Sequence, residues 1–472
     1  MTLPSIIQGG MGAGVSNWLL ADAVAKTGQL GVVSGTALDV IFSRRLQIGD
    51  PGGHMLRAIE RFPVPEVAER VLKTHFVPGG KAEGKPFKAH TSFSVDPPAG
   101  LVELTVLANF VEVLLAKEGH DGLIGINFLE KIQMPNLASL YGAMLAGVDY
   151  VLMGAGIPRE IPGILDKLSG HEEVSMSLDV SGATGDDSFR MHFDPRGFTG
   201  RELPGLKRPL FLAIIASSTL ARTLVKKSTG KVDGFVIEGP SAGGHNALPR
   251  GPLTLNGGGQ PVYGPKDEVD LETIKALGLP FWLAGSFGTP EKLKEALSLG
   301  ASGIQMGTVF ALCRESGLTE EIKSELIEKT VAGEVCVFTD PKASPTGFPF
   351  KVAKLAGSNS EKEVYSERRR VCDIGYLRHL YKKEDGSIGY RCQAEPVEVY
   401  VKKGGKAEDT EGRKCLCNGL LSNIGLPQSW KDGYEEKPLV TMGDDIKNVT
   451  RFLKNGAASY SAEDVVKYML GT

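Results

Sequence analysis

His245 is the residue around which chemistry can be organised. It stands in EGPSAGGHNALP, residues 238–249, directly after the apolar run VDGFVI, with Gly239, Gly243 and Gly244 close by. An imidazole at a strand end can move a proton near neutral pH or orient a polar ligand. Glycines beside it let the backbone approach that ligand. A turn that merely contains a histidine is the competing reading.

Two later segments offer a second kind of chemistry. AGSFGTPEKL, 284–293, and MGTVF, 306–310, each set a glycine beside a hydroxyl residue, Gly285 with Ser286 and Gly307 with Thr308. Short Gly–hydroxyl loops at strand ends can hold an anion with their amides, and a helix opening near Pro290 adds its N-terminus. Turn capping would use the same residues. Near the start, QGGMGAG, 8–14, supplies Gly10, Gly12 and Gly14, whose missing Cβ atoms would admit a planar ring. It is not a complete GxGxxG fingerprint.

These segments must be positioned by strands, and eight short apolar runs fit that need. They are SII at 5–7, GVV at 31–33, GLIGINF at 122–128, DYVLM at 149–153, PLFLAII at 209–215, GFVIE at 234–238, FWLAG at 281–285 and GIQMG at 303–307. Between them lie helical patterns such as NWLLADAVAKTG, LASLYGAMLAG and PEKLKEALSLG. The alternation predicts an α/β fold, a TIM-type (β/α)8 barrel over residues 1–330. An open doubly wound sheet shares this periodicity. Two intervals are too long for ordinary connections. Residues 34–121 include the charged helical pattern PEVAERVLK, and residues 157–207 include ATGDDSFRMHFDPRGFTG, which has little regular pattern. Residues 331–472 lose the barrel rhythm and read as an extension packed on the barrel, ending in a Ser-capped helix at SAEDVVKYMLG.

Composition narrows the function classes. Lys plus Arg total 53 against 56 Asp plus Glu, so no basic surface for nucleic acid is expected. The apolar stretches look strand-sized, so no membrane span is expected. The N-terminus does not read as a secretory signal, and six cysteines in 472 residues are no disulfide scaffold, which points to the cytoplasm. Oligomeric state is left open, a homo-oligomer included.

The order and spacing of QGGMG, GINF, EGPSAGGH, AGSFGT and GIQMGTVFAL make residues 5–330 resemble the nitronate monooxygenase family, formerly 2-nitropropane dioxygenases. That family also contains flavin-dependent enoyl-acyl-carrier-protein reductases. The resemblance implies FMN as cofactor. Gly10, Met11, Gly12 and Asn127 would lie by the ring, and Gly243 and Gly244 by the ring or ribityl chain. Gly285, Ser286, Gly307 and Thr308 would cradle the phosphate. His245 matches the family's proposed catalytic histidine, orienting a nitronate or taking the α-proton of a neutral nitroalkane. The implied reaction is oxidation of a small nitronate with oxygen. The alternatives are NAD(P)H-dependent reduction of an enoyl thioester, and an FMN-binding assembly component without turnover.

The extension departs from the compact pattern of that family. It carries Cys372, Cys392, Cys415 and Cys417, the last two as CLC, a set that could hold tetrahedral zinc or an iron–sulfur centre. Separate thiols are the plainer reading. SERRR at 366–370 reads as a solvated or packing surface.

Overall fold

In the computed structural model, which describes residues 3–454 and 457–471, all eight predicted strands form one parallel sheet. They are β1 (Ile6–Gln8), β2 (Gly31–Ser34), β3 (Ile124–Leu129), β4 (Tyr150–Gly154), β5 (Leu210–Ile215), β6 (Gly234–Glu238), β7 (Phe281–Ala284) and β8 (Gly303–Met306). Each pairs in parallel with its neighbours in chain order, and β8 returns to β1 with Ile304 opposite Ile6. The remaining gap closes through an Ile7–Leu30 bridge, where the Gln8 amide donates to the Leu30 carbonyl at 3.0 Å. The sheet is a closed barrel, which excludes the open doubly wound alternative.

Strand alternation explains why these sequences close. Ile7, Val32, Tyr150, Leu152, Leu212, Val236 and Trp282 form a separate buried cluster that fills the barrel. Their neighbours, among them Ile6, Val33, Val151, Phe211, Phe235 and Ile304, belong to the larger core beneath the helices. Successive side chains leave a strand on opposite faces, so one apolar run serves both layers. Trp282 is fully buried and donates its indole N–H to the Pro4 carbonyl at 2.8 Å.

The long intervals are more regular than the sequence suggests. Residues 34–121 contain helices Leu38–Gln47, His54–Ile59, Pro65–His75 and Ala99–Ala116. The last contradicts the reading of only strand-sized apolar stretches: it runs 18 residues at mean hydropathy 1.8. By length and composition it could cross a membrane, but it is mostly buried and packs against the helices Asn136–Leu145 and Leu38–Gln47. Residues 157–207 likewise contain the antiparallel pair Val174–Ser177 and Arg190–Phe193, although RMHF gave no clear pattern.

The extension builds small sheets and short helices. Val337–Asp340 pairs with Phe350–Ala353, and His379–Lys382 pairs with Ile388–Arg391. It grips the barrel at several points: the Arg44 guanidinium donates to the Leu426 carbonyl at 2.6 Å, and Lys382 pairs with Asp187 at 2.8 Å. The final helix, Ala462–Leu470, starts at Ser461 with a reciprocal Ser461–Asp464 capping box, as its sequence predicts.

Candidate functional site

A cavity of about 530 Å³ opens at the C-terminal ends of the barrel strands, a volume suited to a cofactor with a small ligand. Every cofactor and catalytic candidate from the sequence lines it. The β1 loop brings Gly10, Met11 and Gly12, and β3 brings Asn127. The β6 loop brings Gly243, Gly244 and His245, while β7 and β8 end in Gly285–Ser286 and Gly307–Thr308. β7 and β8 are adjacent, with Ala284 opposite Gln305, so the two Gly–hydroxyl loops share one edge of the cavity. Ser286 is held in the left-handed region at φ 56, a strained state that functional loops concentrate.

The extension shapes this site as much as the barrel does. Gly244 has φ +79; its N–H donates to Thr441 Oγ1 at 2.9 Å, and its carbonyl accepts from the Lys351 N–H at 2.9 Å. His245 forms a bridge with Phe350, and their rings meet edge-on at 4.9 Å. Its Nε2 shares a 2.6 Å hydrogen bond with the hydroxyl of Ser344, a fully buried residue of the extension. On the anion edge, the Gly443 N–H donates to Thr308 Oγ1 at 2.9 Å. Asp445 presses on Gly288, where an added Cβ would overlap its Oδ2. Burial raises the pKa of that carboxyl, which favours its neutral form beside an anion.

His245 is not the near-neutral titrating group its residue type suggests. Burial, with Lys131 nearby, lowers its pKa to about 3. This favours the neutral imidazole, which acts as a hydrogen-bonding group. This has a consequence for stability. The unfolded chain, with an ordinary histidine near ~6.5, takes up this proton before the folded one does. The contribution is thus present above ~6.5 and is lost as pH falls towards about 3. Urea titrations of wild type and His245→Asn are expected to diverge in slope below that pH, by up to about 1.4 kcal/mol per pH unit. Parallel curves would contradict the depressed value.

Sequence reasoning missed several lining groups. Glu238 ends β6 inside the quoted EGPSAGGH and lines the cavity, and burial raises its pKa to about 7. Gln305 lines the cavity with its Oε1 buried and unpartnered, as does Asn246 with its Oδ1. Both β-strand residues were discoverable from their strand-end positions. Ser344, Phe350, Thr441 and Asp445 were not, because nothing local ties them to the barrel.

These features fit a flavin mononucleotide. Unmet acceptors at Gln305 and Asn246 await N–H or hydroxyl donors, which a flavin ring and its polyol chain carry. Gly307 faces open space: a Cβ there meets only the Met11 side chain, at 3.5 Å. Its φ of −114 suits any residue. Gly307→Val is therefore expected to leave the melting temperature nearly unchanged while weakening flavin retention about tenfold or more, the effect of ~1.4 kcal/mol of lost contact. Flavin content after desalting, measured beside a thermal melt, checks this.

Residues 205–343, spanning β5 to the start of the extension, match the family model of nitronate monooxygenases. That segment is thus similar to the nitronate monooxygenase family. A probable nitronate monooxygenase of Bacillus subtilis is 32% identical over 116 residues, 25% of this chain and 31% of that protein. A hydroxy-methyl-oxo-octahydroindene-carboxyl-CoA dehydrogenase of Rhodococcus jostii is 26% identical over 118 residues, 25% of this chain and 29% of that protein. The chain thus matches about a third of the length of these relatives. The structure of FabK from Thermotoga maritima overlays with a TM-score of 0.48 at 14% identity, over 99% of this chain and 92% of that one. The matched segment holds the His245 loop and both Gly–hydroxyl loops of the cavity.

The four cysteines of the extension also converge. Cys372, Cys392, Cys415 and Cys417 line one small void, and Cys392 and Cys415 share a buried cluster with Ala394. Among the described residues, no three Cys, His, Asp or Glu side chains are gathered closely enough to hold one metal ion.

Proposed function

We propose that this protein is an FMN-dependent oxidoreductase that oxidises small nitronates with oxygen. The observation that carries the reading is the coincidence of the family match with the cavity: the matched segment contains His245, Gly285–Ser286 and Gly307–Thr308, all facing one space. When bound, FMN supplies the electron chemistry between substrate and oxygen. The chain's own residues bind and orient. Gly285, Ser286, Gly307 and Thr308 hold the phosphate, while Glu238 and Gln305 accept from the cofactor's donors. Neutral His245, fixed by Ser344, orients the nitro oxygens. Ile157, Ile214, Phe348 and Phe350 give the cavity an apolar wall that receives the alkyl group and limits water.

A thioester substrate is the second reading. The loop after His245 places Arg250 and half-exposed Leu248 at the cavity mouth, with half-exposed Leu253 and Leu255 following. A long acyl carrier could lie along such a surface, and the Rhodococcus relative is named for an acyl-CoA substrate. One set of assays separates the two. The FMN-loaded protein is expected to release nitrite from a primary nitronate in air, with little reoxidation by an enoyl thioester after NAD(P)H reduction. The opposite pattern overturns the first reading.

A further inference from the structure

Cys372, Cys392, Cys415 and Cys417 line one small void of about 10 Å³. Among the described residues no three of them, alone or with His, Asp or Glu, are gathered to share one metal ion. An iron–sulfur cluster asks for no such gathering, because its four thiolates are distributed over several iron atoms bridged by sulfide. We propose that Cys372, Cys392, Cys415 and Cys417 ligate an iron–sulfur cluster, whose metal atoms sit between the four sulfurs.

The surroundings suit that occupant. The cysteines come from three separate segments: a loop after the helix Lys362–Glu367, the end of the strand Ile388–Arg391, and the start of the helix Leu416–Ser422. All four are free thiols. Ile374, Leu377 and Leu416 complete an apolar wall, as an oxygen-sensitive cluster requires for shielding. The Asn418 amide donates towards Cys415 Sγ at 3.8 Å, the kind of N–H···S contact that tunes cluster potentials. Its Oδ1 is buried without a partner. A cluster would also bind together a region of short elements and small cores.

Its place in the fold gives the cluster a use. Leu416 lines the cysteine void and Leu420, on the same helix, lines the large cavity. Four residues of helix are about 6 Å. A cluster there lies within single-electron reach of a redox cofactor in the barrel. That electron exchange rests on the flavin reading above; the presence of the cluster does not.

The full-length protein, expressed and purified without oxygen, tests this directly. Iron and acid-labile sulfide are expected in equal amounts, with a broad visible absorption that dithionite bleaches and a paramagnetic signal in the reduced sample. Cys417→Ser and Cys372→Ser are each expected to lose at least tenfold of the iron and sulfide. One equivalent of zinc without sulfide overturns the proposal. So does wild-type protein that takes up no iron or sulfide after anaerobic reconstitution with ferrous ion and sulfide, a measurement that needs no variant to fold.

Discussion

His245→Ala is expected to lower turnover of a nitronate by about 10² to 10³, the loss associated with removing one preorganised hydrogen-bonding group from a reacting site. Bound flavin should be retained, because the imidazole contacts Ser344 and Phe350, not the Gly–hydroxyl loops that hold the phosphate. The loss should appear in kcat rather than KM if the imidazole acts mainly as charge shifts between substrate and flavin. Ser344→Ala offers a graded companion. It frees the Nε2 side of the ring, so it should reduce turnover less than the His245 variant does. Wild-type activity in His245→Ala with full flavin content would remove the assignment of this residue.

The second large effect concerns the extension. Arg368 and Glu436 form a two-point ion pair at 2.6 and 2.8 Å, with both side chains fully buried. The attraction of such a pair is set against the cost of desolvating both ions, so its net worth is small, but breaking it leaves one charge stranded. Glu436→Ala should therefore destabilise the protein by about 3–5 kcal/mol. Replacing both residues with apolar side chains of similar volume should recover much of that loss. Urea midpoints for the single and double variants decide the matter; equal losses in both would show that packing, not the stranded guanidinium, sets the cost.

The barrel was legible because its information is local. Each strand is a short apolar run, each is followed by a turn, and the site residues fall at strand ends where a barrel rule places them. His245, Gly285–Ser286 and Gly307–Thr308 needed only that rule to be gathered in one cavity. The helix Ala99–Ala116 was missed for the opposite reason: it is apolar on nearly every side because it is buried on nearly every side, so it lacks the stripe that marks a surface helix. The histidine's environment was hidden for a related reason. Residue type gives an ordinary pKa, whereas burial and the nearby Lys131 come from chain segments far away. Ser344, Thr441 and Gly443 reach the site across 99 to 197 residues, and no spacing pattern announces such contacts.

The hydrogen bonds of Thr441 and Gly443 to the β6 and β8 loops carry one more implication. Segments that line the pocket are fastened to a part of the chain that is translated after the barrel. A nascent barrel therefore completes its nucleotide pocket only when residues 441–443 have emerged and docked. Loading of cofactor and seating of the C-terminal region should thus proceed as one cooperative event, and protease resistance of that region becomes a reporter of occupancy in the barrel.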